Sequence, residues 1–214
     1  MRPITVTVGP LAAASANNIA LSQTPGAAGP LTLNGSLVVG GVAILDNPRR
    51  ILITTADTTH TFTITGLSPT GTVLTESFLV VGGASFSTLD YAKVTSIVIS
   101  AAASGAITVG TNGIASTPWV RLDDFAPAPV GIQCNVTGTV NYTVQSTLDD
   151  PNSPTNPVVP SAVVWISTSD AAAVGATASI QTNFAYPPIF VRTLLNSGTG
   201  TVVMTVVQAS AVPY

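Results

Sequence analysis

An alternation of period two runs through this chain and admits little besides β-structure. In His60-Thr61-Phe62-Thr63-Ile64-Thr65 apolar residues and threonines take turns. On an extended backbone that places Phe62 and Ile64 on one face and the threonines on the other. Gly66-Leu67-Ser68-Pro69-Thr70-Gly71 supplies turn residues and the chain returns through 72–78, which predicts a β-hairpin. Further strands are predicted at 31–33, 50–54, 94–100, 107–109 and 163–166. Two more hairpins are predicted: 130–136 with 140–144 across Thr137-Gly138-Thr139, and 189–195 with 201–207 across Asn196-Ser197-Gly198-Thr199-Gly200. The 16 prolines and 18 glycines fall between these segments, as many short strands and tight turns require. Helix signals are thin: 11–20 is Ala-rich but lacks an apolar stripe, and Ser169-Asp170 caps at most a short turn at Ala171-Ala172-Ala173. The fold class expected is all-β, an antiparallel β-sandwich or jelly-roll-like arrangement.

Domain organisation is read from the punctuation. Gly110-Thr111-Asn112-Gly113 ends the 107–109 strand, Ser116-Thr117-Pro118-Trp119 marks a boundary, and Phe125-Ala126-Pro127-Ala128-Pro129 is a stiff connector. Two β domains are expected, 1–117 and 118–214, each of a size that holds a small sandwich; one continuous sandwich is the alternative. Residues 1–30, with Gly9-Pro10, Pro25-Gly26 and Gly29-Pro30, read either as an extended arm across a neighbouring subunit or as a first strand and a surface loop. No internal repeat stands out.

The chain has 46% hydrophobic residues, enough to bury a core, yet only 7% charged residues against about 25% in an ordinary soluble domain. A lone soluble protein relies on surface charge to stay apart from its copies. So little charge predicts a surface covered by partners, unless Thr, Ser, Asn and Gln supply the polarity alone. The six basic residues, Arg2, Arg49, Arg50, Lys93, Arg121 and Arg192, are scattered. They form neither the stripe that nucleic acid demands nor a polybasic membrane patch, so neither partner is expected. Gly9-Pro10 interrupts the first apolar run before a signal-peptide core forms, and no run approaches membrane-spanning length. The mean hydropathy of +0.52 reflects Ala, Val and Ile in strands.

Catalytic equipment is sparse. Cys134 is the sole cysteine, so no intrachain disulfide forms; it alternates with Val130, Ile132 and Val136 as a buried small hydrophobe does. His60 is the sole histidine and reads as a residue at a strand edge or core margin. Asp123-Asp124 and Asp149-Asp150 are adjacent pairs whose side chains diverge on extended chain, against a glycosidase pair, and Asp149-Asp150-Pro151-Asn152 has ordinary turn chemistry. EF-hand spacing, phosphate loops and a nucleophile elbow are all missing. Asn34-Gly35-Ser36, Asn135-Val136-Thr137 and Asn141-Tyr142-Thr143 match the glycosylation sequon as expected by chance in so Thr- and Ser-rich a chain. No catalytic residue, cofactor or metal is expected. Among the aromatics Trp119, Phe125, Trp165, Tyr186 and Phe190, isolated rings usually serve as buried anchors or subunit contacts. A carbohydrate-binding face would use Trp119, Trp165 or Tyr186 as a stacking platform.

Several segments in order carry a resemblance: Thr61-Phe62-Thr63-Ile64-Thr65-Gly66 with Gly71-Thr72-Val73-Leu74-Thr75-Glu76-Ser77; Tyr91-Ala92-Lys93-Val94-Thr95-Ser96-Ile97-Val98 leading to Ile107-Thr108-Val109-Gly110-Thr111-Asn112-Gly113; 140–151; and Tyr186-Pro187-Pro188 followed by Arg192 and 198–202. Together they resemble small β-rich virion proteins of tailed bacteriophages. The resemblance implies a structural role in a particle assembled in the bacterial cytoplasm: a capsid decoration or cement protein, or a neck or tail accessory component. The partners it implies are copies of the chain itself, a trimer being expected, and major capsid or neck and tail proteins. The alternative is a fibre- or adaptor-type tail component that binds host carbohydrate. It brings no catalytic residues. Symmetric many-copy contacts favour a charge-depleted surface and edge strands that pair between subunits.

Overall fold

In the computed structural model, which describes residues 3–81, 83–123, 126 and 129–208, strands hold 55% of the chain and helix 3%. The fold is all-β and antiparallel, as the alternation predicts. The chain divides into two units, Ala12–Gly113 on the one hand and Met1–Leu11 with Ile114–Tyr214 on the other. The chain therefore changes unit twice, where the sequence pointed to one boundary near 117. The first strand, β1 (Ile4–Val8), belongs with the C-terminal unit.

The N-terminal unit contains β2 (Ser15–Gln23), β3 (Gly29–Pro30), β4 (Val38–Val39), β5 (Val42–Thr55), β6 (Thr61–Leu67), β7 (Val73–Leu79), β8 (Ala84–Phe86), β9 (Tyr91–Ile99) and the start of β10 (Ile107–Ser116). The order is β10-β5-β9-β6-β7, with β2 on β10, β3 on β9, and β4 and β8 on β5. Ile19, Ile51, Ile53, Phe62, Ile64, Tyr91, Ile97 and Ile107 are fully buried in its core. Each such side chain contributes on the order of 1.5–3 kcal/mol by leaving water.

The β6–β7 hairpin forms in unbroken register from Thr61↔Leu79 to Leu67↔Val73. Gly66 sits inside β6 and not in the turn, because a Cβ there would meet the Tyr91 ring. Likewise Gly110 does not end the strand at 107–109. A Cβ at Gly110 would run into the Ser15 carbonyl, so the glycine admits a close approach of β2 while β10 continues to Ser116. The strand expected at 31–33 is displaced to Gly29–Pro30, with Leu31 N–H donating to Ile97 O at 2.7 Å.

Charged residues also belong to this interior, Arg49, Asp57 and Asp90 among them. Arg49 is wholly buried; it donates to Ala12 O at 2.9 Å, to Asn112 O and to Asp46 Oδ1 at 3.2 Å. Asp46 Oδ2 accepts from Ala12 N–H at 2.7 Å. Arg49 and Asp46 thus tie the entry of the chain into this unit to its exit.

The C-terminal unit adds β11 (Val120–Arg121), β12 (Val130–Thr137), β13 (Val140–Thr147), β14 (Ile166–Ser167), β15 (Ile180–Phe184), β16 (Phe190–Gly198) and β17 (Thr201–Gln208). One sheet runs β1-β17-β12-β15; in the other β13 lies between β14 and β16, and β16 also takes β11 and the Ala115–Ser116 end of β10. Val130, Ile132, Cys134, Val202, Met204 and Val206 from the first sheet share a core with Val140, Tyr142, Val144, Val191 and Leu195 from the second. Thr193 of β16 donates to Met204 Sδ of β17 at 3.2 Å across it. This is a two-layer sandwich.

Both hairpins predicted in this half are absent. β12 pairs with β15 and β17, whereas β13 pairs with β14 and β16. Thr137-Gly138-Thr139 therefore crosses from one sheet to the other, and so does the link between β16 and β17. The crossing bends at Gly138, whose φ of 80° a side chain would strain, and a Cβ there would stand 3.1 Å from Gly200 Cα of the neighbouring crossing. Of the strand expected at 163–166 only Ile166–Ser167 forms. A 3-10 turn at Ala171–Ala173 is capped by Asp170, which accepts from Ala172 N–H at 3.0 Å, in line with the sequence. Phe125, Pro127 and Ala128 of the expected connector, and Asp124 of the Asp123-Asp124 pair, lie outside the described residues. Among the described residues no helix is long and apolar enough to cross a membrane.

Candidate functional site

The three rings named as a stacking platform, Trp119, Trp165 and Tyr186, are placed in the C-terminal unit, and two of the three meet. Alternation along β16 sends Val191, Thr193 and Leu195 into the sandwich core and Phe190 and Arg192 to its other face. There Trp119 stands 5.1 Å from Trp165 and 5.8 Å from Phe190, both edge to face. The Arg192 guanidinium lies 4.2 Å above Trp165, and its Nε donates to Gln145 Oε1 at 2.9 Å from the paired position on β13. Arg121 stands 5.5 Å above Phe190 and forks onto Asp150 at 2.8 and 3.0 Å. The fork holds the Asp150 carboxyl below the usual carboxylate range. Edge-to-face rings and a cation over a ring each contribute about 0.5–1.5 kcal/mol. The two tryptophans spend these interactions on each other and on arginine, as packing anchors do.

Tyr186 is placed differently. It is 56% exposed and lines a cleft of about 260 Å³ with Ser146, Thr147, Ser167, Thr168, Asn183 and Phe184 among its walls. Small hydroxyl and amide groups around one open ring offer hydrogen bonds and a stacking surface together. Leu148 and Ile166, at 65% and 66% exposure, flank it. Sequence reasoning named Tyr186 but not these polar walls, because β13, β14 and β15 converge from three distant segments.

The remaining candidates have structural partners. Asp149 accepts from Val164 N–H at 2.7 Å while Asp150 turns to Arg121 and Asn152 N–H, so the adjacent carboxylates diverge as expected. His60 Nδ1 is 3.5 Å from Asp57 Oδ2, and Asp57 also accepts from the Ser104 hydroxyl and amide. The Ser104 bonds hold the Asp57 carboxyl low. Sequence reasoning missed this trio, which spans 47 residues; its order also differs from a nucleophile site, where the imidazole stands between serine and carboxylate. Cys134 is buried, and burial pushes its thiol up to about 11. No group of three or more His, Cys, Asp or Glu suited to a metal occurs among the described residues.

Most of the scarce ionic groups among the described residues are engaged by other groups of the chain. Arg49 pairs with Asp46, Arg50 lies 3.5 Å from Asp90, Arg121 binds Asp150, and Arg192 is buried over Trp165. Glu76 accepts from Thr88 N–H, the Thr88 hydroxyl and Leu89 N–H. Lys93 is exposed. What faces outward is mostly Thr, Ser, Asn and aliphatic side chains, among them Val39 at 70% exposure and Val81 at 64%.

Compared with known proteins, the chain matches no family model, and no curated protein is detectably similar to it in sequence.

Proposed function

We propose that this chain is a non-enzymatic structural protein of a bacteriophage virion, a capsid decoration or cement protein that assembles through symmetric contacts with its own copies and with the major capsid protein. A neck or tail accessory position is the other placement. The observation that carries the reading is that most of its charged groups are engaged by other groups of the same chain. Four of the six basic residues and most of the carboxylates hold the chain together, which leaves a surface of hydroxyls and exposed aliphatics. Such a surface favours burial against other protein. A homo-oligomer follows, with a trimer the expected form.

The test has two parts. Purified particles of the source phage are digested and searched for peptides of this chain, and the mass of the recombinant chain is measured by light scattering over a hundredfold concentration range. Chain in the particle at a copy number set by capsid or tail symmetry, with an oligomer in solution, is the result expected. A monomer at every concentration that is also missing from particles overturns the reading.

The cleft at Tyr186 favours a second reading, a tail component that binds host carbohydrate. Its open ring and hydroxyl walls suit a pyranose, whereas Trp119 and Trp165 are occupied by their own packing. Glycan-array binding that disappears in Tyr186→Ala supports this reading, and a blank array with the native chain removes it.

A further inference from the structure

The open edge at β7 has the features of a strand built to be paired. Native sheets blunt their edges with short strands, bulges, proline or lysine. Among the described residues the other edges are blunted: β3, β4, β11 and β14 have two residues, β8 has three, β2 is broken by two register shifts, and five-residue β1 lies between Pro3 and Pro10. β15 has five residues and is followed by Pro187-Pro188. β7 is seven residues long, regular throughout and free of proline and lysine.

Its hydrogen-bonding direction follows from the ladder. Ser68 N–H donates to Thr72 O at 2.8 Å, so alternation along the register carries the bonds to β6 through Leu74, Glu76 and Phe78. Thr61 O accepts from Ser100 N–H, on the β9 side, which agrees. The backbone N–H and C=O groups of Val73, Thr75, Ser77 and Leu79 therefore point outward, and all four side chains are exposed.

We propose that β7 pairs antiparallel with β7 of a second copy of this chain, about a twofold axis at Glu76. This rests on the proposed assembly through symmetric contacts and specifies one of them. The occupant is argued from self-complementarity. About Glu76, Val73 falls opposite Leu79, Thr75 opposite Ser77, and Leu74 opposite Phe78, so apolar meets apolar and hydroxyl meets hydroxyl. The outward-bonding residues also fall opposite one another, as a ladder requires. An axis at Thr75 or Ser77 keeps the bonding but sets Glu76 against Leu74 or Phe78. The axis at Glu76 instead brings two carboxylates together, each already held by donors from Thr88 and Leu89. A twofold contact of this kind links single copies or whole trimers alike.

Thiol trapping in the full chain tests the register. Thr75→Cys and Ser77→Cys chains are prepared separately and oxidised with diamide, alone and mixed. Opposed residues in a hydrogen-bonded pair stand about 5.5 Å apart at Cα, within disulfide reach, and buried Cys134 stays out of the reaction. The mixture is expected to give a linked dimer and each variant alone little. Glu76→Gln, which removes the like-charge pair and keeps an acceptor for Thr88, is expected to tighten dimerisation about two- to fivefold. Thr75→Lys is expected to weaken it about tenfold with the circular dichroism unchanged. A chain that forms oligomers but yields no mixed link, or links equally in every combination, overturns the β7 contact and leaves the proposed function standing. Linked dimers from a chain missing in particles do the reverse.

Discussion

Replacing Arg49 by methionine is expected to unlock the N-terminal unit by about 3–4 kcal/mol. Methionine occupies much of the arginine stem, so the cavity term stays small and the cost lies in stranded acceptors. Three acceptors lose a cationic donor: the Ala12 and Asn112 carbonyls and the Asp46 carboxylate. Hydrogen bonds to a charged group contribute about 1.5–3 kcal/mol each, which overstates the sum because such terms do not add. Two corrections reduce it. Asp46 keeps 27% of its side chain in water and rehydrates when abandoned, and the buried Arg49 Nε has no hydrogen-bond partner among the described residues, so removing it recovers desolvation. Breaking a buried pair costs about 3–5 kcal/mol, and the lower end applies. The assay is amide hydrogen exchange by mass spectrometry. Peptides within 12–23 and 107–113 should exchange about a hundredfold faster at 3 kcal/mol. Both tryptophans, Trp119 and Trp165, lie in the other unit, so their fluorescence gives a separate probe. Asp46→Asn, which leaves Arg49 its two carbonyls, should cost only about 1 kcal/mol. An Arg49→Met chain within 0.5 kcal/mol of the native one, or with faster exchange spread evenly over the chain, would refute the reasoning.

Three further outcomes are expected. Thr193→Val should stabilise the C-terminal unit by about 1 kcal/mol, because the buried hydroxyl has only the sulfurs of Met204 and Cys134 as partners and sulfur is a weak one; calorimetry showing a lower midpoint counts against this. Cys134, its thiol pushed up to about 11 by burial, should react with an aromatic disulfide reagent at pH 8 only as fast as the unit opens, and rapid labelling of the native chain contradicts that. Asp57, held low by Ser104, and Asp150, held low by Arg121, stay ionised where the unfolded chain already takes up protons near its ordinary carboxylate pKa of about 3.9. Their contribution is therefore whole above about pH 5 and lost as pH falls below about 4. Urea midpoints that rise on acidification would contradict this, and Arg121→Gln should flatten the acid limb.

How far the fold is legible in the sequence depends on which interaction a residue serves. Phe62 and Ile64 declare their face by alternation alone, and the β6–β7 hairpin follows because both of its strands and its turn are local. The connection at Gly138 is as short and as turn-like, yet it crosses the sandwich. Alternation in 130–136 and 140–144 places both sets of apolar residues in one core whether the strands pair or face each other, so the pattern cannot separate the two arrangements. Gly66 and Gly110 read as turn residues because a glycine needed for close packing looks the same in sequence as one needed for a bend. At the candidate site, Trp119, Trp165 and Tyr186 were found as residue types, but their sorting into anchors and an open ring depends on Arg192, Gln145 and the walls from β13 to β15, which only tertiary pairing brings together.

The partnership of β1 with β17 bears on synthesis at the ribosome. Ile4 pairs with Val206 and Val8 with Val202, so a strand made before residues 12–113 waits for a partner made after them. Residues 12–113, by contrast, hold every strand partner of the N-terminal unit and can complete their hydrogen bonding while translation continues. The nascent chain then carries a folded bead with a bare β-strand ahead of it until β17 arrives. Truncation within β17 would leave that leading strand permanently single, and aggregation through it, not loss of the bead, is the failure such a product should show.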